Sequence, residues 1–270
     1  MQLVLGVRTY DLTTRALVMG VLDAPPGESC CGFGPADIDA WLKCGERLVG
    51  DGADLLEVGA ASVATAGPGL SEAEELDVVV PLVGAVVQGA GVPVSCATAR
   101  ASVARAAYAA GAVVGDDPSG FSDPGYLPAA VVAGASVVVR HPTVAQAPAA
   151  PTPGTDDVVA RVRAFLAEQA RRAEEMGLTP EQIVLDAGLD GMATEQSLPV
   201  LRASPQLAEL GYPLASAVAG AGDERPHGRR VTTASATALA VVGGCRLLRT
   251  SDVRTARRVA DVLAGILGAG

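Results

Sequence analysis

Aromatic residues make up only 3% of the chain, and no stretch is rich in lysine or arginine. The first shortage leaves Ala, Val and Leu to build the core, the side chains that fill barrel interiors and helix-sheet interfaces. The second, with a formal net charge of −10, argues against a nucleic-acid or anionic-membrane partner drawn in by long-range electrostatics. No apolar run is long enough to span a bilayer, because Gly, Pro or a charged residue interrupts each within about 18 residues. Residues 1–22 hold Arg8, Asp11 and Arg15 and lack a small-residue cleavage site, so no signal peptide and a cytoplasmic location are expected. Cys30, Cys31, Cys44, Cys96 and Cys245 contain no CxxC pair and leave one over, which favours reduced thiols over a disulfide framework.

What the chain does have is 49% apolar composition over 270 residues, enough for one large α/β barrel or two smaller domains. Its most informative stretch runs from Ala16 to Pro26, an apolar segment ending at Asp23 and a loop of Gly, Pro and Cys. That pattern reads as a buried parallel strand delivering polar groups at its C-terminal tip. An N-terminal hairpin is expected, from Leu3 to Arg8, with a turn near Asp11 and a second arm from Arg15 to Leu22. Strand and helix patterns then alternate. Strands are predicted over 55–59, 93–96, 112–116, 136–139, 183–186, 214–218 and 245–249. Helices are predicted over 35–50, 71–89, 99–110, 124–133, 156–177, 194–210, 232–242 and 252–267, with Ser71 and Glu74 as a capping box. Residues 142–155, rich in Pro, Ala and Thr, read as a long loop. Units of roughly 30 residues without a composition break predict a single (β/α)8 TIM barrel over residues 1–270, with an N-terminal β-hairpin. A doubly wound sheet satisfies the same alternation.

In a barrel of this kind the active site lies at the C-terminal mouth, formed by the residues that end each strand. Those residues are Asp23, Glu57, Ala97, Asp116-Asp117, Arg140-His141, Asp186, Val218-Ala219, and Arg249 followed by Ser251-Asp252. Five carboxylates, Asp23, Glu57, Asp116, Asp117 and Asp186, would converge there, a set that suits a divalent cation or an amine-bearing ligand. The plainer alternative has Asp117 tying down a loop and Glu57 paired with Arg140. Ser29 and Ser251 lack a His/Asp relay, so nucleophilic hydrolysis is not supported. Trp41 falls at an apolar-periodic position and reads as a packing residue. His227, with Arg225, Arg229 and Arg230, reads as a basic loop that would meet an anion beside Arg249.

A series of short blocks occurs in a telling order. It comprises Met-Gly-Val-Leu at 19–22, Gly-Ala-Asp at 52–54, Val-Gly at 58–59, Val-Pro-Val-Ser at 92–95 and Ser-Gly at 119–120. Val-Leu-Asp at 184–186, Gly-Tyr-Pro at 211–213, and Arg249 with Asp252-Val253 complete it. On these blocks the chain resembles the dihydropteroate synthase family of pterin-binding barrels, from about Val18 to Leu267. The resemblance implies a pterin pyrophosphate and para-aminobenzoate as substrates, joined by displacement of pyrophosphate, and a homodimer formed through outer helices. It implies ligand-binding roles for Asp23, Asp116, His141, Asp186, Arg249 and Asp252. Asp186 aligns with the acid that grips the pterin 2-amino edge. Asp23, standing where the family has the Asn of Asn-Val-Thr-Pro-Asp-Ser-Phe, is the candidate ligand for Mg2+.

Other family positions are replaced. Gly-Gly-Glu-Ser-Thr-Arg-Pro-Gly becomes Gly59-Ala60-Ala61-Ser62-Val63-Ala64-Thr65-Ala66, which loses the arginine. Ser-Ile-Asp-Thr becomes Ser95-Cys96-Ala97-Thr98, Asn-Asp becomes Asp116-Asp117, Ser-Arg-Lys becomes Ala219-Gly220-Ala221, and Arg-x-His becomes Arg249-Thr250-Ser251. Each unmet buried ligand group loses about 1–3 kcal/mol. The expectation is therefore a dihydropteroate synthase-like protein without synthase activity, a pseudoenzyme that binds a partner such as an authentic synthase, or a small molecule. Two alternatives stay open: a redirected enzyme or small-molecule binder using the acidic mouth, and a residual synthase in folate biosynthesis.

Overall fold

The computed structural model describes residues 1–23, 37–59, 70–142, 155–192, 194–217 and 226–268. Strands β1 (Gln2–Leu5) and β2 (Arg8–Asp11) form the N-terminal hairpin, with Leu5 opposite Arg8. The chain reverses at Gly6, whose φ of +63° lies in the left-handed region that glycine adopts freely. The turn is therefore not near Asp11, and the expected second arm is instead β3 (Leu17–Asp23), the first barrel strand.

From there helices and strands alternate. Helix α1 (Ile38–Gly50) precedes β4 (Leu55–Gly59), α2 (Glu72–Gly89) precedes β5 (Val94–Ala97), and α3 (Ala101–Ala109) precedes β6 (Val114–Asp117). Next come α4 (Tyr126–Ala133), β7 (Ser136–Arg140), α5 (Thr155–Glu175) and β8 (Ile183–Asp186). Helices α6 (Thr194–Arg202) and α7 (Ser204–Ala208) lead to β9 (Leu214–Ala217), and α8 (Pro226–Val242) leads to β10 (Cys245–Thr250) and α9 (Val253–Leu267). Eight parallel strands, β3 to β10, close into a barrel, with β10 pairing back onto β3 through Leu247 and Leu17. Closure excludes the doubly wound sheet.

Three local outcomes differ from the sequence reading. The helix predicted over 194–210 is two helices, broken at Ala203 ahead of Pro205 in the first turn of α7, where proline's missing N–H is harmless. Helix α8 begins at Pro226, so His227, Arg229 and Arg230 belong to its first turns and not to a basic loop. Cys96 and Cys245 are free and buried, but Cys44 is disulfide-bonded, against the expectation of reduced thiols. Absence of a CxxC pair excludes nothing here, since pairing depends on distance in space. Residues 143–154, Ser29, Cys30, Cys31 and residues 218–225 also lie outside the described set.

The two-residue period of the strands separates two cores. Leu17, Met19, Leu55, Val114, Val138, Val184, Ala215 and Leu247 fill the barrel interior, joined from below by Leu3, Leu5 and Leu12 of the hairpin region. Alternate residues, among them Val18, Leu56, Cys96, Val137 and Leu248, face the helices and form a second core that also holds Trp41 of α1, which is fully buried. The Ser71 capping box forms as expected: the Glu74 carboxylate accepts the Ser71 N–H at 2.8 Å, and Ser71 Oγ accepts the Glu74 N–H at 3.3 Å. Among the described residues no helix is long and apolar enough to cross a membrane.

Candidate functional site

Strand periodicity places the site's charges. Glu57 stands two residues beyond Leu55, Asp116 beyond Val114, Arg140 beyond Val138, Asp186 beyond Val184 and Arg249 beyond Leu247. Each therefore shares the inward face of its strand with an interior apolar residue and lies one layer nearer the C-terminal mouth. All five are buried. Arg249 Nε donates to Glu57 Oε1 at 2.6 Å, and its Nη1 donates to Asp190 Oδ2 at 2.8 Å. Arg140 Nη2 donates to Asp116 Oδ2, and its Nη1 lies 3.9 Å from Asp190 Oδ2. Asp116 Oδ2 is also 3.8 Å from Arg249 Nε. The Glu57–Arg140 pair weighed from sequence is thus replaced by a crossed arrangement, Arg249 with Glu57 and Arg140 with Asp116. Asp186 accepts the Gly188 N–H at 2.8 Å through Oδ1.

Of the candidate ligand residues, the structure brings Asp116, Asp186 and Arg249 together. Two others face elsewhere because they sit one residue out of phase or outside a strand. His141 follows Arg140 and lays its ring edge-on against Phe165, centroids 5.1 Å apart. Asp252 caps α9, its carboxylate accepting the Thr255 N–H at 3.3 Å. Asp117 likewise does not converge on the mouth: Oδ1 accepts from the Ser119 N–H at 2.7 Å and Oδ2 from the Phe121 N–H at 2.9 Å, holding the turn after β6. Asp23 ends β3 opposite Gly59.

The sequence reading missed Asp190, which stands on a single 3-10 turn (Leu189–Gly191) four residues past the tip of β8. The side chain of Asp23, the candidate ligand for Mg2+, lies outside the described set; among the described residues no group of three His, Cys, Asp or Glu side chains is arranged to hold a metal, and Glu57, Asp116 and Asp190 already face arginines.

Burial prevails at two of these acids, Glu57 and Asp186. It pushes the Glu57 carboxyl up to about 8, against the pull of Arg249 and helped by the charge of Asp116. It pushes Asp186 up to about 6, against Arg140. For Asp190 the upward push of burial is outweighed by Arg249 and Arg140, which hold it below the ordinary carboxylate value. Burial would lower both arginines, but Asp116 keeps Arg140, and Glu57 keeps Arg249, above the usual guanidinium value.

The folded state therefore holds protons on Glu57 and Asp186 that the unfolded chain, with ordinary values of 4.5 and 3.8, releases. Their contribution is fully present below those ordinary values and is lost as pH rises through the folded ones. Thermal melts are expected to show stability falling from about pH 4.5 to about pH 8, and Glu57→Gln is expected to flatten that slope whatever its absolute stability. A wild-type midpoint that rises across the same window contradicts this assignment.

Residues 19–251 match the family described as pterin binding enzyme. The chain belongs to this family. Among its relatives, the dihydropteroate synthase of Mycobacterium leprae is 34% identical over 268 residues, which cover 94% of each chain. That of Synechocystis is 30% identical over 268 residues, covering 95% of this chain and 92% of the relative. The solved dihydropteroate synthase of Xanthomonas albilineans with 4-aminobenzoic acid superposes with a TM-score of 0.87 at 30% identity, covering 100% of this chain and 99% of the other. The protein is thus a dihydropteroate synthase-like member of the pterin-binding family, with a layer of mutually paired acids and arginines inside its mouth.

Proposed function

We propose that this barrel has given up dihydropteroate synthesis and acts as a pseudoenzyme that binds a partner or ligand. One observation carries the reading: the polar groups at the strand tips are bonded to one another. Asp116, which would face a pterin in a working relative, accepts from Arg140, and Arg249 is engaged by Glu57 and Asp190. Ala97 puts a buried methyl where the family resemblance implies an acid. Admitting a flat heterocycle between Asp116 and Asp186 would require parting a buried ion pair, and uncoupling one costs about 3–5 kcal/mol. That is a loss of roughly two to four orders of magnitude in affinity.

Calorimetric titration with a pterin, a pterin pyrophosphate and 4-aminobenzoate is expected to give no binding at micromolar concentrations, and turnover assays no dihydropteroate. Micromolar pterin binding, or product formation, overturns the proposal.

A second reading, a redirected small-molecule binder, has its own support. Glu57 Oε2, Asp116 Oδ1 and Asp186 Oδ2 are buried without a hydrogen-bond partner among the described residues, and a ligand rich in N–H donors would satisfy them. As partner we propose a second copy of the chain. Leu239 and Val242 on α8 and Val262 and Ile266 on α9, two helices packed on each other, expose 60–67% of their surface. A monomeric mass in solution removes this part, and a heteromer formed only on mixing with an authentic synthase replaces it.

A further inference from the structure

We infer that Arg140 and Arg249 form an anion subsite kept filled by the chain's own Asp190, and that the ligand which displaces Asp190 is an organic carboxylate. The inference does not depend on loss of synthase activity.

The two arginines come from non-adjacent barrel strands, β7 and β10, yet both reach one oxygen, Asp190 Oδ2, at 3.9 and 2.8 Å. Their side chains are 7% and 10% exposed, whereas that of Asp190 is 31% exposed. The bridging carboxylate is therefore the solvent-side member of the cluster, and the one group in it that can leave outward. It is also the one group not anchored to a barrel strand. Asp190 is carried by the short turn Leu189–Gly191, entered through Gly188 at φ +70°, where an added Cβ would lie 2.4 Å from the His141 carbonyl oxygen.

The arginine pair is not saturated. Arg140 Nε is buried with no hydrogen-bond partner among the described residues, so a donor remains for a second oxygen of an incoming group. Guanidinium groups favour two-point binding of oxyanions. Asp190 supplies one contacting oxygen; a free carboxylate would have the latitude to offer both.

The surroundings select the anion. Asp116 Oδ2 lies 3.8 Å from Arg249 Nε, Glu57 Oε1 lies 2.6 Å from it, and Asp186 ends the neighbouring strand β8. Near neutral pH a dianionic phosphate would bring extra negative charge against Asp116 and against Asp186, whose carboxyl is pushed only to about 6. A carboxylate exchanges one negative charge for another and leaves the balance as it was. Asp190 thus acts as a tethered competitor, lowering the apparent affinity for any free carboxylate by the fraction of time it vacates the subsite.

The test uses the full chain, with formate, acetate, benzoate, chloride and inorganic phosphate as probes. Asp190→Ala is expected to melt below the wild type, because two buried guanidinium groups lose a counter-ion, and millimolar carboxylate is expected to restore its melting temperature where equal chloride does not. Calorimetry is expected to show benzoate binding at least tenfold tighter to Asp190→Ala than to the wild type, with the gain absent from Asp190→Ala/Arg140→Met. Should Asp190→Ala fail to fold, Asp190→Asn, of equal size and no charge, gives the same comparison. Equal benzoate affinity for variant and wild type, rescue by chloride as good as by carboxylate, or phosphate outranking every carboxylate each overturns the inference.

Discussion

Asp116→Leu alone is expected to destabilise the protein by about 3–5 kcal/mol, because it strands the Arg140 guanidinium inside the barrel. Arg140 is buried and has the 3.9 Å approach of Asp190 as its remaining ion pair, which is too long to replace the Asp116 bond. Arg140→Met is expected to cost less, since the Asp116 carboxylate it leaves behind still has the Arg249 guanidinium 3.8 Å away as a counter-charge. The double variant Asp116→Leu/Arg140→Met removes both charges and fills the space with apolar atoms. It is expected to recover most of the loss, as replaced buried ion pairs commonly do. Urea unfolding at all four corners of the cycle measures this. Single losses that merely add in the double variant would show the two residues to be uncoupled.

Trp41→Ala is expected to cost a further kind of energy, about 3–5 kcal/mol, from a cavity. Trp41 is fully buried between α1 and the strand layer, in a chain with only 3% aromatic residues. The core cluster that holds it is mostly Ala, Val and Leu, side chains with little reach to close the gap, which keeps the cost toward the upper end. Circular dichroism melts report the loss, and Trp41→Phe is expected to fall between the variant and the wild type. A loss under about 1 kcal/mol would mean that the layer collapses readily around the vacancy.

Much of the architecture was legible because barrel strands and helices obey simple periods. Leu55–Gly59 and Ile183–Asp186 were read to the residue, and the tips carrying Glu57, Asp116, Asp186 and Arg249 were located correctly. Parity within a strand was the unused signal. Given Val114 and Val138 inside the barrel, only the even members of Asp116-Asp117 and Arg140-His141 face inward, which sets Asp117 and His141 aside without coordinates.

Partner choice was not legible by any such rule. Glu57 and Arg249 meet across 192 residues and across the intervening strand β3, a consequence of barrel closure and strand tilt. Asp190 lies off the barrel strands altogether, in a turn whose path depends on the left-handed backbone of Gly188. The hairpin was misjudged for a related reason: Gly6 supports a tight reversal that the polar segment around Asp11 only seemed to mark.

Leu3, Leu5 and Leu12 pack against the apolar interior beneath the charged layer, so among the described residues the hairpin region stoppers the end of the barrel opposite the strand tips. A solute approaching from the strand tips therefore meets Glu57, Asp116, Asp186 and the two arginines before any apolar residue of the interior, and the charged layer acts as the floor of whatever space the mouth offers.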